Sequence, residues 1–265
     1  MKVFSILFLL TLLCQTGFAQ SDTVFNQTDA KNLKQGYWKK FYPNGKLMYK
    51  GFFKDDKPVG EMRRYFESGA LKALFNYDLN GTFAKARLYY ENGSPAADGN
   101  YFNALKDSMW IYYSFYNKSV TSREFYMKGV RQGISTNYYS SGDISEIIEW
   151  KNDKKSGIWE QYFKGTIPKL KANYIDNKLE GEFVVYYSNG KPYITGIYRN
   201  DLREGKWTLY SEDGTIQSVL NYQGGKAAEE EKLNAEQQQF FRIIDEAQGK
   251  FEEPDETDFL EPPVK

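Results

Sequence analysis

Aromatic residues recur along this chain with a period of 24 residues. If the first repeat begins at Gly36, its equivalents follow every 24 residues, with one step of 25 between Ser108 and Gly133. Every repeat has an aromatic residue five positions after its start and another seventeen positions after it. Those at the second position are Phe53, Tyr77, Tyr101, Phe125, Trp150, Tyr174, Tyr198 and Tyr222. Because every such position is filled, we infer eight structural repeats.

Each repeat has the pattern of a β-hairpin. Glycine follows Asn, Ser or Asp between two apolar segments in most repeats, as in Asn44-Gly45. Such pairs favour hairpin turns in which both residues adopt positive φ. The second strand of repeat two places Ala73 and Phe75 on one face and mainly polar residues on the other. We therefore predict an all-β repeat protein, an elongated antiparallel meander of about eight hairpins stabilised by contacts between neighbouring repeats.

The N-terminal segment has the pattern of a signal peptide. Lys2 precedes an apolar run from Val3 to Leu13, and small residues at positions 17 and 19 suit cleavage after Ala19. An uncleaved anchor is the alternative. Cys14 follows Leu13 rather than a small residue, which disfavours lipid attachment. We divide the chain into a signal peptide (1–19), a lead-in (20–34), the repeats (35–225), a helix (226–250) and an acidic flexible tail (251–265).

The predicted C-terminal helix is rich in Ala, Glu and Gln and has one apolar stripe. The residues of this stripe are Leu233, Phe240, Phe241 and Ile244. The last hairpin would otherwise leave an unpaired strand edge, which is prone to intermolecular pairing. We expect the helix to cap that end, and a partner-binding helix is the alternative.

Charge is distributed unevenly along the chain. Residues 226–265 contain 5 basic and 12 acidic residues, whereas residues 20–225 contain 29 basic and 23 acidic ones. The basic body could attract anionic surfaces, although a mixed charged surface also serves solubility alone. The first three repeats supply a candidate anionic-surface patch, formed by Lys39, Lys50, Arg63, Arg87, Lys40, Lys46 and Arg64.

The residues needed for common catalytic chemistry are missing from the predicted mature chain. Cys14 is the only cysteine and the sequence has no histidine, which argues against disulfides, thiol nucleophiles, imidazole bases and zinc sites. No Gly-rich phosphate loop or nucleophile elbow is present. Glu149 and Asp153 could form a carboxylate pair, but a solvated loop pair is the simpler interpretation. We predict a protein that is not an enzyme, with no catalytic residue, cofactor or metal.

The segment from Gly36 to Gly45 has the pattern Gly-x-Trp-x-x-aromatic-Tyr-x-x-Gly. This pattern resembles the MORN repeat variant, and the resemblance covers roughly residues 35–225. Bacterial proteins of this type are often labelled YwqK-family antitoxins, and the family otherwise implies scaffolding, oligomerisation and proposed lipid binding. The signal peptide is similar to those of Bacteroidota. Repeats three and four depart from the pattern most, with Ala84, Ser108 and Asn117 in place of the expected residues.

These observations favour an exported interaction or scaffold protein of the cell envelope, periplasmic, outer-membrane associated or extracellular. It would bind a protein partner through the repeat sheet. The first alternative is a module that binds carbohydrate or an anionic envelope component such as lipid or peptidoglycan. The antitoxin function implied by the family label ranks third, because export would separate the protein from a cytosolic toxin. We expect no nucleic-acid partner and no transmembrane helix after cleavage.

Overall fold

The computed structural model describes residues 24–227, so the predicted signal peptide and the tail lie outside the described residues. Regular structure in residues 24–227 consists of twenty β-strands in one sheet. Their bounds are β1 Gln27–Thr28, β2 Lys34–Phe41, β3 Leu47–Lys54, β4 Lys57–Tyr65, β5 Leu71–Tyr77, β6 Phe83–Tyr89, β7 Pro95–Phe102, β8 Leu105–Tyr113, β9 Val120–Met127, β10 Val130–Arg131, β11 Gly133–Tyr138, β12 Ile144–Lys151, β13 Lys154–Tyr162, β14 Pro168–Ile175, β15 Lys178–Leu179, β16 Gly181–Tyr186, β17 Pro192–Arg199, β18 Leu202–Tyr210, β19 Ile216–Gln223 and β20 Lys226–Ala227.

The predicted antiparallel meander is confirmed. Successive strands pair antiparallel, with two exceptions. β10 and β11 both pair with β9, and β15 and β16 both pair with β14. The eight predicted hairpins, numbered here in chain order, are β2–β3, β4–β5, β6–β7, β8–β9, β11–β12, β13–β14, β16–β17 and β18–β19. In all eight, a register shift places the aromatic residue of the first strand at a β-bulge.

The start of the predicted C-terminal helix is wrong. Lys226–Ala227 forms strand β20, which pairs with Tyr222 and Gln223. Gly224 and Gly225 both adopt positive φ and turn the chain back along β19, so the first residues expected to be helical continue the meander instead. The rest of that prediction, including Leu233, Phe240, Phe241 and Ile244, lies outside the described residues.

The turns are distributed differently from the prediction. At the Asn44-Gly45 tip only the glycine has positive φ, because the tip is a five-residue loop closed by a hydrogen bond from the Tyr42 N–H to the Lys46 carbonyl at 2.8 Å. Turns with two positive-φ residues instead link successive hairpins, as at Asp55-Asp56. A two-residue loop with this geometry matches the twist of the flanking strands. The Asn-Gly pair, the strongest turn signal in the sequence, therefore marks the five-residue tip of a hairpin. The tighter two-residue loops lie between hairpins.

Consecutive hairpins form pairs, which makes the true structural period twice the sequence period. The first strands of hairpins 2, 4, 6 and 8 are continuous nine-residue strands, whereas those of hairpins 5 and 7 are split. Within each pair a tyrosine hydroxyl of the odd hairpin donates a hydrogen bond to a backbone carbonyl of the even one. The four bonds are Tyr42 to Tyr65, Tyr90 to Tyr113, Tyr139 to Tyr162 and Tyr187 to Tyr210.

Apolar side chains pack along one face of the sheet, called here the inner face. In hairpin 7–8, Gly196 leaves space for the ring of Trp207, because a Cβ there would lie 2.2 Å from the ring carbons. Gly99 accommodates Trp110 in the same way in hairpin 3–4. The buried residues form two separate clusters, one from Phe53 to Tyr126 and one from Ile148 to Tyr222.

A polar seam divides the two clusters at hairpins 4 to 6. Ser135 lies where hairpins 1, 4, 6 and 8 carry tryptophan, and Glu124 and Glu146 are also buried. Glu146 accepts hydrogen bonds from Trp159 Nε1 at 2.8 Å and from Asn137 Nδ2 at 2.8 Å. These bonds compensate a buried carboxylate for its lost hydration.

Candidate interaction face

The face of the sheet opposite the inner face, called here the outer face, carries a continuous row of side chains across the strands. Directly paired residues define it, beginning with Lys39 opposite Lys50 and Lys50 opposite Arg63. The row then continues through Leu74, Arg87, Asp98, Ile111, Arg123, Thr136, Ile147, Glu160, Lys171, Val184, Thr195, Thr208 and Val219. The row begins with basic residues, mixes apolar and charged residues through its middle, and ends in valine and threonine.

The structure brings four residues of the predicted anionic-surface patch together on the outer face. Lys39, Lys50 and Arg63 lie on adjacent strands, and Arg87 follows after Leu74. Arg63 contacts Glu61 at 2.7 Å, and Arg87 contacts an oxygen of Asp98 at 2.8 Å. We call Lys39, Lys50, Arg63, Lys85 and Arg87 the basic zone.

The other three residues of the predicted patch lie elsewhere. Lys40 and Arg64 face the inner side, where both are cross-strand partners of Tyr49. Lys46 is at the tip of hairpin 1, and its amino group donates to the Ser68 carbonyl at 2.7 Å. Adjacent residues in a strand point to opposite faces, so pairs such as Lys39 and Lys40 could not belong to one surface. The sequence prediction ignored this alternation.

A groove of about 460 Å³ lies on the outer face between the basic zone and the middle of the sheet. Leu74, Met109 and Ile111 supply apolar lining. Lys85 and the Arg87–Asp98 pair supply charge. The groove is therefore suited to a ligand that combines apolar groups with negative charge.

The outer face of hairpins 4 to 6 carries exposed apolar side chains. Met109 pairs with Phe125 across the strands, and their exposed fractions are 45% and 37%. Ile134 and Ile158 follow in hairpins 5 and 6 and are also exposed. We call Met109, Phe125, Ile134 and Ile158 the apolar zone. It lies behind the polar seam, so hairpins 4 to 6 carry apolar side chains on both faces, with Trp110, Ile148 and Trp159 buried on the inner one.

The repeat aromatics predicted from the sequence mostly face inward. Five of those eight residues are buried: Phe53, Tyr101, Tyr174, Tyr198 and Tyr222. Tyr77 and Trp150 are half-buried against the two core clusters.

The fourth repeat requires a correction to the aromatic series. Ser108 pairs with Tyr126 rather than Phe125, and Tyr126 is buried while Phe125 is exposed. The tip of hairpin 4 is one residue longer than the tip of hairpin 1, with Ser114 bonded to Ser119. The extra residue shifts the second strand by one position, which exchanges its faces.

Buried ionisable groups surround the aromatic residues of the inner face. Burial raises the pKa of the Tyr101 and Tyr174 hydroxyls and lowers the pKa of the Lys155 amino group. Burial and then the hydrogen bond to Glu160 raise the pKa of Tyr162 to about 12. The tyrosine shifts move the ionisation of these hydroxyls further from neutral pH.

The two carboxylates singled out in the sequence, Glu149 and Asp153, accept hydrogen bonds from different backbone N–H groups. Glu149 accepts from the backbone N–H of Ile158 at 3.4 Å, whereas Asp153 accepts from the N–H of Arg131 at 2.7 Å. Within residues 24–227, no group of three or more acidic side chains is arranged to hold a metal ion. That same part of the chain has no helix of the length and apolar character needed to span a membrane.

A family model described as the MORN repeat variant matches residues 34–55, 58–79, 131–152, 179–200 and 203–223. These segments correspond to hairpins 1, 2, 5, 7 and 8. The chain contains MORN repeats. Hairpins 3, 4 and 6 have the same backbone arrangement as the matched repeats but lie outside the matched segments. Much of the apolar zone therefore comes from MORN-like hairpins that have departed from the family pattern.

No curated protein matches this MORN-repeat chain. A solved structure described as the crystal structure of TarM is similar at 17% identity over 38% of this chain and 20% of that chain, with a TM-score of 0.27. A structure of the Photorhabdus luminescens Tc holotoxin pore is similar at 12% identity over 72% of this chain, with a TM-score of 0.19. The MORN-repeat chain spans 20% and 13% of the lengths of these two solved chains.

Proposed function

We propose that this chain is an exported, non-enzymatic interaction protein of the cell envelope. It binds a protein partner through the outer face of its MORN-repeat sheet. The apolar zone carries this proposal, because side chains such as Met109 and Ile134 are exposed where the sheet pattern would place polar ones. Contiguous exposed apolar surface of this kind marks binding sites in soluble proteins. The signal-peptide pattern of residues 1–19 supports export.

Substitution within the apolar zone tests this function. The double variant Ile134→Asp, Ile158→Asp should lose capture of its partner from envelope extracts, since charge opposes desolvation of the contact. Ile216→Asp is the matched control, because Ile216 is more exposed but lies in hairpin 8, outside the zone. Equal capture by the double variant and the wild type would refute binding through this zone. N-terminal sequencing of the cell-derived protein tests cleavage after Ala19.

Binding to an anionic envelope component is the second candidate, favoured by the basic zone. Lys39, Lys50 and Arg63 form adjacent cross-strand pairs of like charge, an arrangement that costs stability unless anions neutralise it. If this function holds, pelleting with peptidoglycan or anionic vesicles should weaken at high salt and in the Lys39→Glu, Lys50→Glu variant. Pelleting that is insensitive to both changes would exclude it.

A further inference from the structure

We propose that the groove on the outer face binds a sugar residue that carries a carboxylate. The inference rests on the second candidate function in taking the envelope as the source of the ligand, and it names the class of that ligand. The groove has a volume of about 460 Å³, which lies within the usual range of small-molecule sites. Its lining comes from strands β5 to β8 of hairpins 2 to 4.

Three polar side chains lie side by side along the groove. Asn76 pairs with Lys85 across β5 and β6, and Lys85 pairs with Asn100 across β6 and β7. Within residues 24–227, these three side chains have no hydrogen-bond or ion-pair partner. At the usual strand spacing the Cα atoms of the two asparagines are about 10 Å apart. The row can therefore contact a ring from both sides, with the lysine in the middle.

The donors and acceptors of this row match those of a hydroxylated ring with one acid group. An amide side chain both donates and accepts hydrogen bonds, as a sugar hydroxyl does, whereas the ammonium of Lys85 only donates. A carboxylate is the strongest acceptor for that ammonium, because the hydrogen bond between them is charge-assisted. Leu74, Met109 and Ile111 supply an apolar lining for the C–H groups of the ring.

The charges inside the groove favour a single negative charge on the ligand. The guanidinium of Arg87 donates to both oxygens of Asp98, at 2.8 and 3.1 Å, so this pair contributes no net charge. Among the lining residues that the structure describes, Lys85 then supplies the uncompensated charge. One carboxylate neutralises it.

Acidic residues lie at both ends of the polar row. Glu61 is the cross-strand partner of Asn76 and contacts Arg63 at 2.7 Å. Asp107 is the cross-strand partner of Asn100 and accepts from the hydroxyl of the residue that follows it at 2.9 Å. These carboxylates repel further negative charge. The groove therefore disfavours a polyanion and favours an isolated acid group on an otherwise neutral saccharide.

Hairpin 8 carries the same lysine–asparagine pair outside the groove. Lys206 pairs with Asn221 at the positions equivalent to Lys85 and Asn100, and both are exposed. The preceding hairpin has Ile197 at the position equivalent to Asn76 of hairpin 2, so the second amide is missing there. The pair in hairpin 8 is therefore a matched control for the groove.

Titration of the full-length protein with small sugars tests the proposal, with saturation-transfer NMR as the readout. The acidic probes are methyl glucuronide, methyl galacturonide and N-acetylmuramic acid, and their neutral counterparts are methyl glucoside, methyl galactoside and N-acetylglucosamine. We expect at least one acidic sugar to bind about tenfold more tightly than its counterpart, because the neutral ring lacks the charge-assisted bond. Equal affinities within every pair would overturn the proposal, and so would the absence of binding by all three acidic sugars at millimolar concentration.

Variants of the polar row locate the site. Lys85→Gln should lower the affinity for the acidic sugar about tenfold while changing that for its neutral counterpart little. Asn76→Ala with Asn100→Ala should weaken the binding of both sugars. Lys206→Gln with Asn221→Ala should bind as the wild type does. Equal losses in the groove and control variants would refute the site, and acetate binding as tightly as the acidic sugar would refute recognition of a sugar.

The same samples separate this inference from the proposed function. Binding of an acidic sugar beside pelleting that is insensitive to salt would support the groove and refute the second candidate function. Salt-sensitive pelleting without binding of any acidic sugar would refute the groove alone. Asn76 and Lys85 are exposed, so their substitution should leave the fold intact. Thermal denaturation of each variant checks that it does.

Discussion

Hairpins 7–8 and hairpins 4–5 share one backbone arrangement but differ in how their inner face is packed. In hairpins 7–8, Trp207 lies over Gly196 and contacts the rings of Phe183 and Tyr198, with centroid distances of 5.7 and 5.1 Å. In hairpin 5, the position equivalent to Trp207 is Ser135, and the inner side of hairpins 4–5 holds the buried Glu124 and Glu146. Met109, Phe125 and Ile134 are exposed on the outer face of these hairpins, while Trp110 and Ile148 remain buried on the inner face. Strand pairing through backbone hydrogen bonds thus tolerates apolar side chains on both faces.

The comparison indicates that different hairpins of one sheet stabilise the fold and supply the interaction face. Because neighbouring hairpins stabilise each other, the well-packed hairpins can support a middle whose own inner packing is weak. Hairpins 4–5 are then free to present an apolar outer surface without losing their place in the meander. The departure from the repeat pattern is therefore where we locate the interaction face.

The largest expected effect comes from emptying the tryptophan position. Trp207→Ala should lower the free energy of unfolding by about 3 to 5 kcal/mol, because it leaves a cavity among buried rings. Ser135→Ala, at the equivalent position of hairpin 5, should lower it by less than about 1 kcal/mol. Urea denaturation of both variants measures the difference. Similar losses would show that the polar seam is as important for stability as the aromatic cluster.

The fold could be predicted from the sequence, because the sequence shows both the 24-residue repeat and the alternation of inward and outward residues along the strands. The aromatic positions identified eight hairpins, and the alternation of Ala73 and Phe75 indicated their buried face. The pairing of hairpins was missed, although the tyrosines at positions 42, 90, 139 and 187 fall in alternate repeats. A search at twice the period would have found it. Phe125 was wrongly assigned to the inner face, because the extra residue at the tip of hairpin 4 exchanges the faces of the strand that follows. The composition of that strand gives no sign of the exchange.

The interaction face could be predicted from the sequence only in part. Basic residues were grouped by their closeness in sequence, so Lys40 and Arg64 were included although they lie on the other face. The apolar zone was missed, because Met109 and Ile134 look like ordinary strand residues until it is known which residues of their strands face inward. Applying the inward and outward alternation of the strands to hairpins 4 and 5 would have shown that Met109 and Ile134 point outward.

A smaller effect should come from filling the space beneath the tryptophan. Gly196→Ala places a Cβ 2.2 Å from the ring carbons of Trp207 and should lower the free energy of unfolding by about 1 to 3 kcal/mol through overpacking. Gly51→Ala is the matched control, because its Cβ would meet the flexible side chain of Met62 at 3.0 Å. Thermal denaturation should show the larger loss for Gly196→Ala. The reverse order would mean that Trp207 can move aside.

The smallest expected effect concerns the tyrosine bonds that join hairpins into pairs. The hydroxyl of Tyr187 donates to the carbonyl of Tyr210 at 2.7 Å, and a net hydrogen bond of this kind contributes about 0.5 to 1.5 kcal/mol. Tyr187→Phe removes the donor while keeping the ring, so it should lower the free energy of unfolding by that amount. Tyr186→Phe is the control, because Tyr186 is also half-buried and lies next in the chain. Hydrogen exchange of the amides at the tip of hairpin 8 should accelerate only in Tyr187→Phe, since that bond joins the end of β18 to hairpin 7. Equal exchange in both variants would show that the hairpin pairs are joined by strand pairing alone.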